Sequence, residues 1–498
     1  MAALLLASAF VIATAGLVYE LIAGTLASYL LGDSITQFST IIGVYLSSMG
    51  IGSYLSKFIK KDLLKLFIRV ELLLAVFGGS SAAVLFVAFS EVSDFRILLY
   101  ASVMITGILV GIEIPILMRI LKDEFDFKEL VAKVFTFDYL GALLASLLFP
   151  LVLVPHLGLV RSGFLFGLCN ALVAGASLKV LGKGQRWART ESYLVGVVVF
   201  LMTIGLGAGD LITRWGESLS YPDPVITSIS SPYQRVLMTK RANDLRLFLN
   251  GNLQFSSIDE YRYHEALVHP GLASIPGAKR VLVLGGGDGL AVREIWKYPE
   301  IESVTMIDLD SAVTDLATKN SLLLELNQNS LSSPKFHLVH QDAFQWLRTN
   351  HETFDFVIID FPDPSNFSIG KLYSTRFYDL VKNAMSPQGL MVVQSTSPFY
   401  AKQSYWTVVN TLTASGLKTA PYHAYVPSFG EWGFVIAGRH DYVLPESLPE
   451  NLRFLKTEDL PNLFQFPKDM QSTISTINRL DNQALVRTFE QEWAQYVR

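Results

Sequence analysis

The stretch Val281-Leu-Val-Leu-Gly-Gly-Gly-Asp-Gly-Leu290 carries the strongest signal in this chain. Four apolar residues make a buried strand, and the glycine run turns the backbone sharply into a helix. Glycine suits such a turn because it tolerates left-handed angles and lets a nucleoside approach the main chain. Gly285 and Gly287 are therefore candidate nucleoside contacts. Asp288 inside the turn sharpens the signal. A carboxylate there repels a phosphate or an amino-acid carboxylate and attracts an amine. The turn argues against a dinucleotide and against S-adenosylmethionine with its carboxylate intact, and for a cationic ligand.

Downstream of Arg280 short strands alternate with helices, the pattern of a Rossmann-like parallel sheet covered on both faces. The predicted strands are Val281–Leu284, Ser303–Ile307, Lys335–Val339, Phe356–Ile359 and Leu390–Gln394. Ligands bind such sheets at the carboxyl ends of the strands. Acids stand there in turn: Asp288, then Asp308 and Asp310, then Asp342, then Asp360 and Asp363. A single acid at a strand end is ordinarily a helix cap, but a series at four consecutive strands points to a site. Asp308, about 20 residues past the glycine turn, suits ribose hydroxyls. Asp342 can accept a hydrogen bond from an adenine amino group. Asp360-Phe-Pro-Asp-Pro364 ends the central strand, and its prolines fix a rigid turn that aims both carboxylates into the cleft.

Upstream, alternating strands at Val225–Ser230, Tyr233–Thr239, Leu245–Leu249 and Leu253–Ser256 make a small antiparallel cap, with Asn250-Gly251 as a tight turn. A helix over Ile258–Leu272 leads into the glycine-rich strand. Near the end, Thr473–Val497 reads as an amphipathic helix, with packing or self-association as its default role and homo-oligomerisation left open.

The first 211 residues are different in kind. Hydrophobic residues make up 51% of the 498-residue chain, and the mean hydropathy of +0.37 is too high for a soluble enzyme. The excess lies in seven apolar runs, each long enough to span a bilayer: Leu4–Leu30, Thr36–Phe58, Leu66–Phe89, Ile97–Leu121, Val131–Val154, Ser162–Leu181 and Tyr193–Leu211. The first lacks the basic start of a signal peptide and reads as a retained span. Lys57, Lys60, Lys61 and Lys65 follow the second run. Arg119, Lys122 and Lys128 follow the fourth, and Lys179, Lys183, Arg186 and Arg189 follow the sixth. The alternate loops, Gly32–Ile35, Glu91–Arg96 and Pro155–Gly158, are poor in basic residues, which places the amino terminus in the cytoplasm. Glu20, Glu71, Glu113 and Asp138 fall within the runs. Glu71 is expected to reach the interface, and Asp138 has Lys133 as a candidate partner. The single cysteine, Cys169, excludes a disulfide framework, and a net charge of −4 gives no basic field for nucleic acid.

The expected organisation is a transmembrane helical domain over 1–212, a β-strand cap over 213–265, a nucleoside-binding catalytic domain over 266–442 and a helical tail over 443–498.

From Tyr233 to Gly438 the sequence resembles the spermidine synthase (polyamine aminopropyltransferase) family. The resemblance rests on Tyr233-Gln234, Leu249-Asn-Gly-Asn-Leu-Gln254, Asp259-Glu-Tyr-Arg-Tyr-His-Glu265, the Gly285–Gly289 loop, Asp308, Gln341-Asp342-Ala343 and Asp360-Phe-Pro-Asp363, in family order. The chain as a whole looks like the membrane-fused bacterial branch. This implies spermidine biosynthesis by transfer of an aminopropyl group from decarboxylated S-adenosylmethionine, a co-substrate and not a cofactor, to an amine such as putrescine. By the same resemblance Gln234, Asp308, Asp342 and Ala343 contact the nucleoside product, His264 and Asp288 contact the polyamine, and Asp360 accepts the proton.

An alkylammonium has a pKa of about 10, so one amine must lose a proton before it attacks. The other must be held as a cation. Asp363 is assigned to the cation and Tyr263 to orienting the attacking nitrogen. No metal is needed, because a sulfonium is already a good leaving group. Asn250, Ser365-Asn366-Phe367 and Phe429 depart from the family pattern, which opens the choice of acceptor. Plainer readings make His264 a helix-surface residue, Arg293 and Glu294 a solvated helix face, and Tyr261, Trp346 and Trp432 packing residues. Rival functions are a methyltransferase or a non-catalytic polyamine sensor or transporter. The expected location is the plasma membrane, multi-pass, with the catalytic domain facing the cytoplasm, where the substrates are. Seven crossings from a cytoplasmic amino terminus give the opposite side.

Overall fold

Away from water a long apolar run can satisfy its own backbone N–H and C=O groups only by coiling. The computed structural model describes residues 2–31, 34–92 and 94–496. Gly32 and Asp33 of the predicted first loop, Ser93, Met1, and Val497–Arg498 of the predicted tail helix lie outside the described residues. The chain divides into two compact units, Met1–Pro232 and Tyr233–Arg498.

The first unit is helical: α1 Ala2–Leu31, α2 Ser34–Ser56, α3 Leu63–Glu91, α4 Phe95–Leu121, α5 Phe127–Leu148, α6 Gly158–Leu181 and α7 Ala188–Ser220, followed by a short strand, β1 Val225–Ser230. The predicted fifth and sixth spans join, because a π-helical segment, Phe149–Leu157, carries α5 onward. Pro150 and Pro155 each lack a backbone donor within it. Gly158 follows at φ +73°, an angle outside the right-handed helix, and α6 begins there. Among the described residues six helical segments, where the sequence suggests seven, are thus long and apolar enough to cross a membrane.

Within this unit α2 and α4 approach most closely through glycines. A Cβ on Gly52 would lie 2.1 Å from the Ile108 carbonyl oxygen, and one on Gly111 2.1 Å from that of Met49. Arg69 on α3 pairs with Glu191 on α7 at 2.8 Å. Lys133 pairs with Glu129 at 2.6 Å and not with Asp138. Glu71 does not reach an interface: it is fully buried. Large apolar side chains such as Leu143, Leu147, Leu151, Phe200, Leu201 and Ile204 point outward.

The second unit begins with an antiparallel meander, β2 Arg235–Arg241, β3 Asp244–Leu249 and β4 Asn252–Ser256. Asn250 and Gly251 turn the last hairpin at φ +49° and +81°, and Asn250 Oδ1 accepts from the Arg235 N–H at 2.9 Å. The Asn250 departure is spent on this exposed turn.

Next come helix α8 Glu260–Leu272 and the large sheet: β5 Arg280–Gly285, β6 Ser303–Asp308, β7 Phe336–His340, β8 Phe354–Asp360, β9 Met385–Gln394, β10 Lys418–Val426 and β11 Gly430–Gly438. Their order is β10-β11-β9-β8-β5-β6-β7. The five predicted strands are parallel, and β10–β11 add an antiparallel edge. Val281 and Val283 pack on one face of the sheet while Leu282 and Leu284 pack on the other. That is why β5 reads as an unbroken apolar run.

The tail is less helical than expected. Only Ala484–Trp493 forms its helix. Before it the chain is extended, because Asn478 Nδ2 donates to the Gly370 and Tyr373 carbonyls at 3.0 and 3.1 Å. Glu492 accepts from the backbone of Gln403 and Ser404 at 2.7 and 2.9 Å, fastening the tail to the start of the helix Lys402–Ala414.

The α2–α4 contact is testable. Gly111→Leu is expected to lower the melting temperature of the detergent-solubilised full chain, at an overpacking cost of roughly 1–3 kcal/mol. Gly43→Leu, where a Cβ meets nothing within 4 Å, serves as the control and should leave it unchanged. Equal melting temperatures for the two variants would rule out the close approach.

Candidate active site

In the parallel register of β5 and β8, Gly285 lies beside Asp360. A Cβ on Gly285 would sit 2.3 Å from the Asp360 carbonyl oxygen, and one on Gly287 2.6 Å from Asp308 Oδ2. Gly285, Gly286 and Gly289 have φ of +82°, +67° and +80°. The glycines thus serve both the turn and the close passage of neighbouring strand ends. The turn delivers Asp288, whose Oδ1 accepts from the Leu290 N–H at 2.9 Å at the start of helix α9 Leu290–Ile295.

Two of the acids do cap helices: Asp310 Oδ1 accepts from Ala312 at 3.0 Å and Asp342 Oδ1 from Gln345 at 3.1 Å. Capping does not exhaust them. Asp310 Oδ2 holds Gln234 Nε2 at 2.9 Å, which sets Gln234 beside Asp308. Asp308 accepts from the Asp310 N–H at 2.8 Å and from the backbone of Gly287. Asp342 Oδ2 pairs with Lys371 at 2.6 Å, and Ala343 follows it, buried, at the head of the helix Ala343–Thr349.

Asp360 and Asp363 cap no helix. Tyr263 donates its hydroxyl proton to Asp360 Oδ1 at 2.6 Å, so here it orients the carboxylate. Asp360 Oδ2 faces the glycine turn: a Cβ on Gly286 would lie 3.3 Å away. Asp363 accepts from Gln394 at 3.4 Å and from Thr396 at 3.2 Å.

Burial pushes the carboxyls of Asp288 and Asp308 up to about 6. It pushes Asp363 up to about 7 against the two hydrogen bonds it accepts. Asp360 is raised for the same reason, opposed by His264 and the Tyr263 hydrogen bond.

His264 is no surface residue. It is 2% exposed, and its Nδ1 lies 2.8 Å from Glu260 Oε2. Burial works against its proton, but Glu260, Asp288 and Asp360 together hold its pKa above the ordinary value. Glu260 is gripped by Arg293 at 2.8 and 2.9 Å, and Arg293 Nε reaches Glu294 at 2.9 Å. Glu294 continues to His269 at 2.8 Å. The expectation of a solvated face for Arg293 and Glu294 is therefore corrected: α9 is buried along its whole length, and its charges are internal.

Gln394 and Thr396 were not singled out from the sequence, and Trp432 reads there only as a packing residue. Trp432 Nε1 donates to Gln394 Oε1 at 3.1 Å and stacks near Phe429, 5.0 Å between ring centres, so it supports the Asp363 side of the cleft. The signal available was a glutamine at the buried end of an apolar strand. The remaining packing assignments fit: Trp346 lies near Phe354, and the Arg453 guanidinium covers Tyr261 at 3.8 Å.

An open parallel sheet with a glycine turn and carboxylates along its carboxyl edge is the arrangement of a nucleoside-dependent group transferase with a cationic partner. The spermine/spermidine synthase domain family matches residues 260–445. The polyamine aminopropyltransferase of Leptospira interrogans is 51% identical over 98% of this chain and 98% of its own. Polyamine aminopropyltransferase 2 of Ralstonia nicotianae is 53% identical over 99% of this chain and 98% of its own. A solved spermidine synthase in complex with the transition-state analogue AdoDATO is 24% identical, covers 49% of this chain and 88% of its own, and has a TM-score of 0.46. The chain belongs to the polyamine aminopropyltransferase family.

The raised carboxyls give a pH dependence. Protonation removes the charge that holds a cation, and for Asp363 that happens as pH falls through about 7. The KM for an amine acceptor is expected to rise roughly tenfold from pH 8 to pH 6 through Asp363 alone. Asp363→Asn should raise KM at pH 8 and flatten the profile. A KM independent of pH in the unmodified protein would remove Asp363 from cation binding.

Proposed function

We propose that this aminopropyltransferase moves the aminopropyl group of decarboxylated S-adenosylmethionine onto putrescine or a closely related diamine, with Asp360 as the base. The observation that carries the reading is the Tyr263–Asp360 hydrogen bond of 2.6 Å at the point where β8 meets the glycine turn. The donor's nucleoside would lie along the turn, its ribose on Asp308, its adenine near Asp342 and Ala343, and Gln234 closing over it. The far ammonium of the acceptor would rest on Asp363, and Asp288 and His264 would line the polyamine path.

In the reaction the near ammonium gives a proton to Asp360. The freed nitrogen lone pair attacks the methylene carbon bound to sulfur. The carbon–sulfur bond breaks with its electron pair going to sulfur, releasing neutral 5′-methylthioadenosine. Because the sulfonium leaves as a neutral thioether, the proposed chemistry gives no step to a metal or other cofactor. Among the rivals, a methyl donor with its carboxylate intact would meet the Asp288 charge, and a mere sensor has no use for a base at Asp360.

The helical unit is proposed to anchor the enzyme in the plasma membrane, since its outward face carries large apolar side chains in a belt. Lys and Arg place the amino terminus in the cytoplasm. Single crossings of the six candidate segments would return the chain to that side, where the substrates are, at the cost of leaving Lys179, Lys183, Arg186 and Arg189 on the outer side.

Asp360→Asn is expected to lower turnover by about 10²–10⁴-fold while 5′-methylthioadenosine binding, followed by calorimetry, stays near normal. Near-normal turnover in that variant would remove Asp360 as the base. For sidedness, protease added to inside-out vesicles should digest the second unit. Protection there, with digestion in right-side-out vesicles, would place it on the other face.

A further inference from the structure

Away from the catalytic cleft, the helical unit buries two carboxyl groups that face no cation. Glu71 on α3 is fully buried and Glu113 on α4 is 1% exposed. Glu71 Oε2 accepts from Asn170 Nδ2 at 2.9 Å, and Asn170 Oδ1 accepts in turn from the Tyr19 hydroxyl at 2.9 Å. The other three carboxyl oxygens, Glu71 Oε1 and both of Glu113, have no donor among the described residues. The two carboxyls are close enough that a proton on either would be donated to the other. Tyr19, Tyr45, Cys169 and Asp138 are the titratable groups around them, and none brings a positive charge.

Burying two adjacent negative charges in an apolar bundle is strongly unfavourable unless something compensates them. A shared proton joins two of the three oxygens and leaves one without a partner. A primary alkylammonium supplies N–H donors and a positive charge, which serve the remaining oxygen and balance one of the two carboxylates. A proton kept between the carboxyls then balances the second charge. Tyr19, at the start of the hydrogen-bond chain, also lines a cleft with Tyr45, Ser81, Ser102 and Thr106. That cleft, which Ala23, Leu85 and Val103 also line, has room for about one water molecule, and neither Glu71 nor Glu113 lines it.

We propose that Glu71 and Glu113 form a second amine site, separate from the catalytic cleft, which takes the primary ammonium end of a diamine or polyamine. Every acceptor and product of aminopropyl transfer carries such a group, and the choice of probe rests on that activity alone.

Equilibrium dialysis of radiolabelled putrescine against the purified full chain in detergent, with saturating 5′-methylthioadenosine, tests this. The expected result is two amines per chain, falling to one in Glu113→Gln with turnover unchanged. Asp288→Asn, which weakens the catalytic cleft, should keep the bundle amine. Infrared difference spectra of Asp288→Asn on adding putrescine should show a buried carboxyl band that shifts and that is lost in Glu71→Gln. One amine per chain that survives Glu113→Gln overturns the proposal and leaves the pair holding only a proton. Should the Gln variants fail to fold, a flat infrared difference in Asp288→Asn overturns it equally.

Discussion

Crowded negative charge at the carboxyl edge of the parallel sheet is the constraint around which the catalytic unit is built. β5 and β8 run in a register that sets Gly285 against Asp360, so the glycine turn and the proposed proton acceptor meet at one place. Asp288, Asp308 and Asp363 complete the group, and burial raises every one of these carboxyls. Such an edge is held open only by exact placement of neutral donors. Tyr263 serves Asp360, Gln394 and Thr396 serve Asp363, and backbone N–H groups serve Asp288 and Asp308. The unmet remainder of the charge is the binding energy for a cation.

The same crowding creates the chemical difficulty. Carboxylates that attract an ammonium also stabilise its proton, and removing that proton at neutral pH already costs about 4 kcal/mol for a group with a pKa of about 10. Two features reduce the mismatch. Burial raises Asp360 toward the pH at which it must accept the proton. His264, whose pKa Glu260, Asp288 and Asp360 raise, in turn lowers those of Asp288 and Asp360, which tempers the crowding of negative charge at that edge. Arg293 then matters at one remove: its two bonds to Glu260 fix the carboxylate that fixes the histidine.

Much of this was legible in the sequence because it rests on period and punctuation. An apolar run ending in glycines can only be a doubly covered strand and a sharp turn, and acids repeated at successive strand ends can be counted without a structure. What escaped was whatever depended on contacts between distant elements. Arg293 and Glu294 look like any exposed pair on a short helix; only the packing of α8 against α9 turns them inward. The capping bonds of Asp310 and Asp342 leave room for roles at the site, because a carboxylate has two oxygens and a cap uses one. The joining of α5 to α6 escaped because Pro155 reads as a breaker at the end of the fifth run, whereas a π-helical segment takes in both Pro150 and Pro155 before Gly158 ends it.

The two units meet one electrostatic problem under different conditions. In the cleft each carboxylate keeps at least one hydrogen bond from a fixed donor and stays partly open to water, so it can exist charged and wait for a ligand. In the bundle Glu113 has neither, and Glu71 has only Asn170. A carboxyl without donor or solvent is costly enough that a purely structural role is better filled by leucine or glutamine. Two of them side by side double the cost without adding packing that an apolar pair would lack. Their presence in largely apolar helices is what the proposed amine accounts for, and the molecules that carry such a charge are the ones the catalytic unit handles.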